Sequence, residues 1–474
     1  MALDNFIKSI QNIMRKDQGV AGDGQRIEQI VWMLFLKLFD DQEKYYELRD
    51  KKYHSPIPEK FRWRNWAEDP EGVTGDELLE FINQKLFPEL KNLGVSSDDR
   101  RGLLVRSAFE DAYNYMKSGT LIRQVINKIN EADFNKTSDR HLLNDIYEKL
   151  LKDLQGAGNY GEFYTPRPLT RFIIDVIDPK LGEKVLDPAC GTGGFLVNTL
   201  EHVREHYVKS QTDEKKLHDS IYGVELKSLP HLLAITNMIL HGIEVPDNIR
   251  RDDMLSRPLT EYTPKDRVDV IVANPPFGAS VKDGTEKNFP SEMRTKETAL
   301  LFLILFVHML KDGGRAGVVL PDGVLFGEGA ATRIKEKLLK ECNVHTIVRL
   351  PQGVFNPYAG VNTNLVFFEK GKPTKEIWYY QLPLPEGMKQ YTKNRGITHE
   401  EFDPIRKWWK KRTENDFAWK VSIEEIEKRN YNLDFKNPNG NAKIDHKDPE
   451  EVLGNIVSAE KEIIKILGEI KKEL

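Results

Sequence analysis

Four consecutive residues, Asn274-Pro275-Pro276-Phe277, carry the clearest chemistry in this chain. The Asn274 side-chain carbonyl and the Pro275 main-chain carbonyl are two acceptors that a single NH2 group can satisfy together. Two prolines stiffen the backbone that holds them. The Phe277 ring adds a flat apolar face on which a planar base can stack. Because the tetrapeptide follows the apolar run Val268-Asp269-Val270-Ile271-Val272-Ala273, it is expected at the end of a buried strand. Asn and Pro are also ordinary turn residues, so taken alone the tetrapeptide is equally a loop that ends a strand.

A second group of residues lies upstream. Lys184 to Leu186 read as a strand running into Asp187-Pro188-Ala189-Cys190-Gly191-Thr192-Gly193-Gly194-Phe195, with a helix from about Leu196. Glycines let a backbone pass close under a ligand. Leu196 stands where a dinucleotide loop needs its third glycine, and no Gly-Lys-Ser or Gly-Lys-Thr follows, so neither that loop nor a P-loop is present. What remains is a carboxylate, Asp187, beside the amides of Gly191, Thr192, Gly193, Gly194 and Phe195, which suits an ammonium-carboxylate group better than a pyrophosphate. The next strand ends in Gly223-Val224-Glu225, an acid placed where ribose hydroxyls are held. Asp253 should close the following strand and can accept from an exocyclic amine such as adenine's; its neighbour Asp252 is an equal candidate. Together the three acids describe a nucleoside joined to an amino acid, and S-adenosyl-L-methionine is that molecule. Cys190 reads as a small packing residue, with no His near it in sequence.

The elements that must position these groups follow from the rest of the chain. Its 474 residues suggest two or three domains. No apolar run approaches the roughly 20 residues of a membrane helix, and the opening MALDNFIKSI lacks a leader pattern; a cytoplasmic protein is expected. Two cysteines, Cys190 and Cys342, make neither a disulfide framework nor a zinc spacing, so no metal is expected. A net charge of −4 gives no global pull toward nucleic acid, and any such contact must come from a local basic surface or a partner chain. Residues 1–150 read as a helical domain, with Ile27, Ile30, Val31, Leu34, Phe35 and Leu38 along one stripe. Lys51 to Pro70 reads as an irregular packed insertion. Gly156, Gly158 and Gly161 mark a boundary. Strands near Lys184-Leu186, Ile221-Val224, Val268-Ala273, Ala316-Leu320, His345-Leu350 and Asn364-Phe368 then alternate with helices over a second domain, residues 151–435. That alternation predicts an α/β fold with a doubly wound, mostly parallel sheet whose ligands sit beyond the strand ends. Beyond Gly371 the pattern loosens. The basic stretch Ile405 to Arg412 contains Trp408 and Trp409 and reads more readily as a solvated helix with two core tryptophans than as a phosphate grip. Residues 449–474 return to helical spacing and need a surface to bury against.

The order of these motifs resembles that of the adenine-N6 amino-methyltransferases of nucleic acid. Gly161-Glu162-Phe163-Tyr164-Thr165-Pro166-Arg167 is similar to the flanking motif that completes the methionine pocket in those enzymes, which implies Tyr164, Thr165 and Pro166 in cofactor binding. Leu232 to Gly242 is similar to their helix after the second acid. Gln25-Arg26-Ile27 through Phe39-Asp40-Asp41, Leu320 to Phe326 and Leu350-Pro351-Gln352-Gly353-Val354-Phe355 resemble the modification subunit of type I restriction-modification systems, and the likeness covers roughly residues 5–435. Asp252 departs from the small residue that often precedes the third acid. The resemblance implies methylation of adenine N6 in double-stranded DNA, with base flipping and with Asn274, Pro275, Pro276 and Phe277 as the catalytic set. It also implies two copies of the chain beside a separate specificity subunit that reads the sequence, and a restriction/translocase subunit in the full complex. The 1–150 domain would then clasp DNA and contact subunits, and the 449–474 helix would dock on the specificity subunit. Two other readings stay open: a scaffold that binds S-adenosylmethionine without turnover, and methylation of a protein glutamine or of RNA.

Overall fold

The computed structural model describes residues 3–131, 147–151, 164–356 and 360–439, together with Glu460. Nine strands, β1 (Val185–Asp187), β2 (Ile221–Glu225), β3 (Ile249–Arg251), β4 (Val268–Ala273), β5 (Leu310–Pro321), β6 (Cys342–Arg349), β7 (Thr363–Lys370), β8 (Glu376–Gln381) and β9 (Ala418–Ser422), form one sheet in the order β3-β2-β1-β4-β5-β7-β6-β8-β9. Strands β1 to β5 run parallel, and β7 is antiparallel to both β5 and β6. Strand β8 is parallel to β6, and β9 closes the edge antiparallel to β8. The sheet is doubly wound and mostly parallel.

Strand β4 shows why the sequence runs apolar there. Val270 and Val272 pack with Leu169, Phe172 and Ile173 of the helix Arg167–Ile177, whereas Ile271 and Ala273 pack with Leu301 and Leu305 of the helix Thr298–Met309. Side chains alternate between faces, and both faces are covered, so nearly every position must be apolar. The one exception, Asp269, sits at the strand's start, where it pairs with Lys311 at 2.7 Å and accepts from the Lys184 amide.

The amino-terminal helices gather around the 28-residue helix Gly22–Arg49. Its expected stripe is buried, but so are Trp32, Met33 and Leu36, because the middle of this helix, Gln29 to Asp41, is enclosed on every side rather than on one. The segment Lys51 to Pro70 is built into the same core: Phe61, Trp63 and Trp66 are buried, Trp63 Nε1 donates to Asn130 Oδ1, and Arg64 pairs with Asp40 at 2.9 Å. The helical region meets the sheet at its β3 edge, where Arg251 pairs with Glu110 at 3.0 Å and with Asp111, and Arg100 pairs with Asp247.

Three expectations need correction. The pattern does not loosen into irregular chain after Gly371, because β8 and β9 extend the sheet by two strands. Strand β5 begins at Leu310, six residues earlier than expected, since Lys311-Asp312-Gly313-Gly314 resembles a turn and in fact lies in the strand across a register shift opposite Val268 and Val270. Strand β3 ends at Arg251, two residues short of Asp253, which lies in the following turn. In the helix Asp403–Lys410, Trp408 is buried against Trp378 and Tyr380, and Trp409 packs on Phe367, consistent with tryptophans that serve the core. Gly156, Gly158, Gly161 and all of 449–474 except Glu460 lie outside the described residues. Among the described residues no helix is long and apolar enough to cross a membrane.

Candidate active site

Connections leave β1 toward β3 on one side of the sheet and pass from β4 outward on the other, so the order reverses between β1 and β4. Asp187 ends β1 and Asn274 follows β4. The two groups of residues marked in the sequence therefore meet at the crevice where doubly wound sheets hold ligands. A cleft of about 310 Å³ opens there, lined by Pro188, Ala189, Gly191, Glu225, Asp253, Asn274 and Pro276, with apolar walls from Leu226, Met254 and Phe302. A recess of about 20 Å³ is lined by Thr165, Asp187, Cys190, Thr192, Gly194 and Phe195. Ala189, Gly191 and Asn274 belong to both, so cleft and recess adjoin.

The loop between them is held from several directions. Gly191 and Gly193 have φ of 53° and 80°, left-handed values that favour glycine. The Cys190 amide donates to Val224 O at 2.9 Å, and Asn237 Nδ2, from the helix Ser228–Leu240, donates to Thr192 O at 3.0 Å. The helix Gly194–His206 starts directly after, so its first amides lack intrahelical partners and carry the positive end of the helix dipole.

The three acids differ in environment. Asp187 is 1% exposed; its Oδ1 accepts from the Ala189 amide at 3.2 Å, and among the described residues it makes no ion pair. Burial, reinforced by the charge of Glu225, holds its carboxyl well above the usual range. A buried acid in this state is suited to an entering cation. Glu225 accepts from the Gly191 amide at 2.9 Å and the Lys227 amide at 2.8 Å, which fixes its carboxylate beside the glycine loop at the cleft wall. Asp252 and Asp253 are distinguished by their partners. The Asp252 carboxylate pairs with Arg257 at 2.8 Å and accepts from the Asp253 amide, whereas the Asp253 carboxylate accepts only from the Leu255 amide among the described residues. Burial pushes the Cys190 thiol up, and the charges of Asp187 and Glu225 act in the same direction, as for a packing residue rather than a nucleophile.

At the other end, Asn274 Nδ2 donates to Thr165 Oγ1 at 2.9 Å, while Asn274 Oδ1 is screened from solvent and has no hydrogen-bond partner among the described residues. Pro275 is buried, and the half-buried Phe277 ring meets Phe355 edge-on at 5.5 Å and 84°. The flanking motif divides. Thr165 reaches the recess, but Tyr164 is 8% exposed within the hydrophobic core, where burial pushes its hydroxyl up to about 12, and it does not line the cleft. Pro166 precedes the helix Arg167–Ile177, and Gly161 to Phe163 lie outside the described residues.

Sequence reasoning assigned no role to Asn237, Phe355, Leu226, Met254 or Phe302. Phe355 carried a signal in the motif Leu350 to Phe355; Phe302 did not, because the all-apolar helix Thr298–Met309 reads only as core. Among the described residues no cluster of three or more His, Cys, Asp or Glu is arranged to hold a metal.

The chain is similar to known proteins along its length. A family model described as N-6 DNA Methylase matches residues 138–447, and another, the HsdM N-terminal domain, matches residues 3–129. The chain is 56% identical to the methylase subunit of the type I restriction enzyme EcoEI of Escherichia coli, over 100% of the chain and 97% of that protein. It is 30% identical to the EcoKI methylase subunit of Escherichia coli K12, over 87% and 78% of the two. The crystal structure of a modification subunit from Vibrio vulnificus YJ016 superposes with a TM-score of 0.82 at 45% identity, covering 94% of the chain and 98% of that subunit. A chain from a structural study of complex assembly and conformational transition in a type I R-M system gives 0.84 at 37% identity, covering 99% and 97%. The chain therefore belongs to the N-6 DNA methylase family, among the methylase subunits of type I restriction enzymes.

Proposed function

We propose that this methylase subunit transfers a methyl group from S-adenosyl-L-methionine to adenine N6 in double-stranded DNA. One observation carries the reading: Asn274, whose carbonyl oxygen has no hydrogen-bond partner among the described residues, lines a cleft with acids suited to a nucleoside and an amino acid. S-adenosylmethionine supplies a methyl group on a sulfonium, already activated for attack. Asp187 would hold its ammonium, the amides of Gly191 to Phe195 its carboxylate, Glu225 its ribose hydroxyls and Asp253 its adenine amine, between Leu226, Met254 and Phe302.

The accepting adenine amine has its lone pair delocalised into the ring and is a poor nucleophile. Asn274 Oδ1 and the Pro275 carbonyl accept its two N–H groups, which draws the nitrogen toward tetrahedral geometry and frees the lone pair for in-line attack. No general base acts first, and the proton leaves to solvent after transfer. Positioning supplies most of the rate. Because the amine lies inside a duplex, the base is flipped out and stacks on Phe277, which Phe355 braces. The reading extends to the assembly: two copies of this chain flank a specificity subunit that reads the sequence, a restriction/translocase subunit joins the full complex, and the work is cytoplasmic. Residues 1–150 would clasp DNA, residues 151–435 would carry transfer, and residues 449–474 would dock on the specificity subunit.

The test is to incubate the chain and its specificity subunit with labelled S-adenosylmethionine and duplex DNA, then digest the DNA to nucleosides. Label on N6-methyladenine nucleoside is expected. Label on cytosine, protein or RNA would overturn the assignment.

A further inference from the structure

The Asn274 side chain has an acceptor end and a donor end, and only the acceptor end serves an entering NH2 group. We infer that Thr165 holds the Asn274 side chain in place, and that it is a positioning residue for methyl transfer acting through Asn274. The inference rests on the function proposed above and adds to it a residue 109 positions away in sequence. Asn274 Nδ2 donates to Thr165 Oγ1 at 2.9 Å, and Asn274 Oδ1 has no partner, so among the described residues this one bond ties down the amide. Without it the side chain would be free to move among its rotamers and carry Oδ1 away from an entering amine. Thr165 is well placed to hold the bond. It lies between the buried Tyr164 and Pro166, immediately before the helix Arg167–Ile177. Its β-branched side chain has few rotamers to explore. Thr165 lines the same recess as Asp187 and the glycine loop and bonds to Asn274, so it joins the two halves of the site.

Valine at 165 keeps the shape and removes the acceptor; serine keeps the acceptor and removes a methyl. In the complex with the specificity subunit, under single turnover at saturating S-adenosylmethionine, Thr165→Val should slow transfer about 10- to 100-fold. Cofactor Kd should stay within about threefold and Thr165→Ser within about threefold of wild type, on the reasoning that binding and orientation are separable. In an Asn274→Ala background, Thr165→Val should add less than about a twofold further loss, because the two residues act as a unit. A Thr165→Val rate within twofold of wild type, a loss confined to cofactor affinity, or an additive loss would each overturn the inference. A second readout does not depend on adenine being the acceptor. With 15N-labelled asparagine, the side-chain amide pair assigned to Asn274 by its disappearance in Asn274→Ala should shift in Thr165→Val and return in Thr165→Ser. An unmoved pair would overturn the inference, whereas a wild-type complex that labels no adenine would refute the proposed function instead.

Discussion

Replacing Asp187 by Asn should move stability and affinity in different directions. Asp187 is enclosed at 1% exposure, accepts one amide hydrogen bond and pairs with no described cation, and its carboxyl is held well above the usual range by burial and then by Glu225. An acid whose folded pKa is raised keeps its proton longer in the native state than in the unfolded chain. The folded state is therefore favoured below the ordinary value near 3.9, and that advantage is lost as pH rises through the folded value. At neutral pH the free protein carries a buried acid that resists ionisation, and Asp187→Asn removes that burden. The ligand-free Tm should not fall, and its difference from wild type should grow in the variant's favour as pH rises above about 4. Affinity should respond oppositely. A hydrogen bond to a charged group contributes about 1.5–3 kcal/mol, and about 1.4 kcal/mol is tenfold, so S-adenosylmethionine should bind about 10- to 150-fold more weakly. Wild-type affinity should also strengthen with pH across the acidic range, where binding must ionise Asp187, and this dependence should flatten in the variant. Titration calorimetry at several pH values reads both effects. An Asp187→Asn protein that binds S-adenosylmethionine as tightly as wild type would refute the role given to this acid.

Three further outcomes follow from the geometry. Gly193→Ala forces a φ of 80° on a residue with a side chain, at a cost of about 1–2 kcal/mol, so melting should fall by several degrees and cofactor binding weaken; a Tm within about 1 °C of wild type would show that the loop yields. Phe355→Ala removes the edge contact that braces Phe277, worth about 0.5–1.5 kcal/mol, and should slow transfer up to about tenfold at unchanged cofactor affinity, a result that an equal loss of cofactor affinity would contradict. Removing residues 449–474 should weaken co-purification with the specificity subunit while S-adenosylmethionine still binds, and undiminished co-purification would exclude that segment as the docking element.

The readable parts of the fold were those whose local pattern has one physical cause. Strand β4 was legible to the residue, because burial on both faces demands an unbroken apolar run and Asn274-Pro275 ends it abruptly. The all-round burial of the middle of the Gly22–Arg49 helix was not legible, since a stripe at three- and four-residue steps looks the same whether or not the remaining faces are also covered. Strand β8 escaped notice for a related reason: Ile377, Trp378, Tyr379 and Tyr380 fit a strand, but Pro383 and Pro385 directly follow and the chain then wanders before β9 pairs with it. In the site, Asp187, Glu225 and Asn274 could be found because strand ends in a doubly wound sheet converge. The bond from Asn274 to Thr165 could not, because it depends on how a segment before the sheet folds back over it. Nor does the sequence separate Asp252 from Asp253: both line the cleft, and they differ in the pairing of Asp252 with the Arg257 side chain.

Methyl transfer as proposed depends on one atom, the carbonyl oxygen of Asn274, which has no hydrogen-bond partner among the described residues. Its most direct test is the single-turnover rate of methyl transfer to duplex DNA by Asn274→Ala, measured beside the Kd for S-adenosylmethionine in the same complex. Loss of a charge-stabilising acceptor should slow transfer about 100- to 1,000-fold while Kd stays within about threefold, the pattern of an interaction made in the transition state and not in cofactor binding. Transfer within about threefold of wild type would contradict it, since the accepting amine would then be held by something other than Asn274.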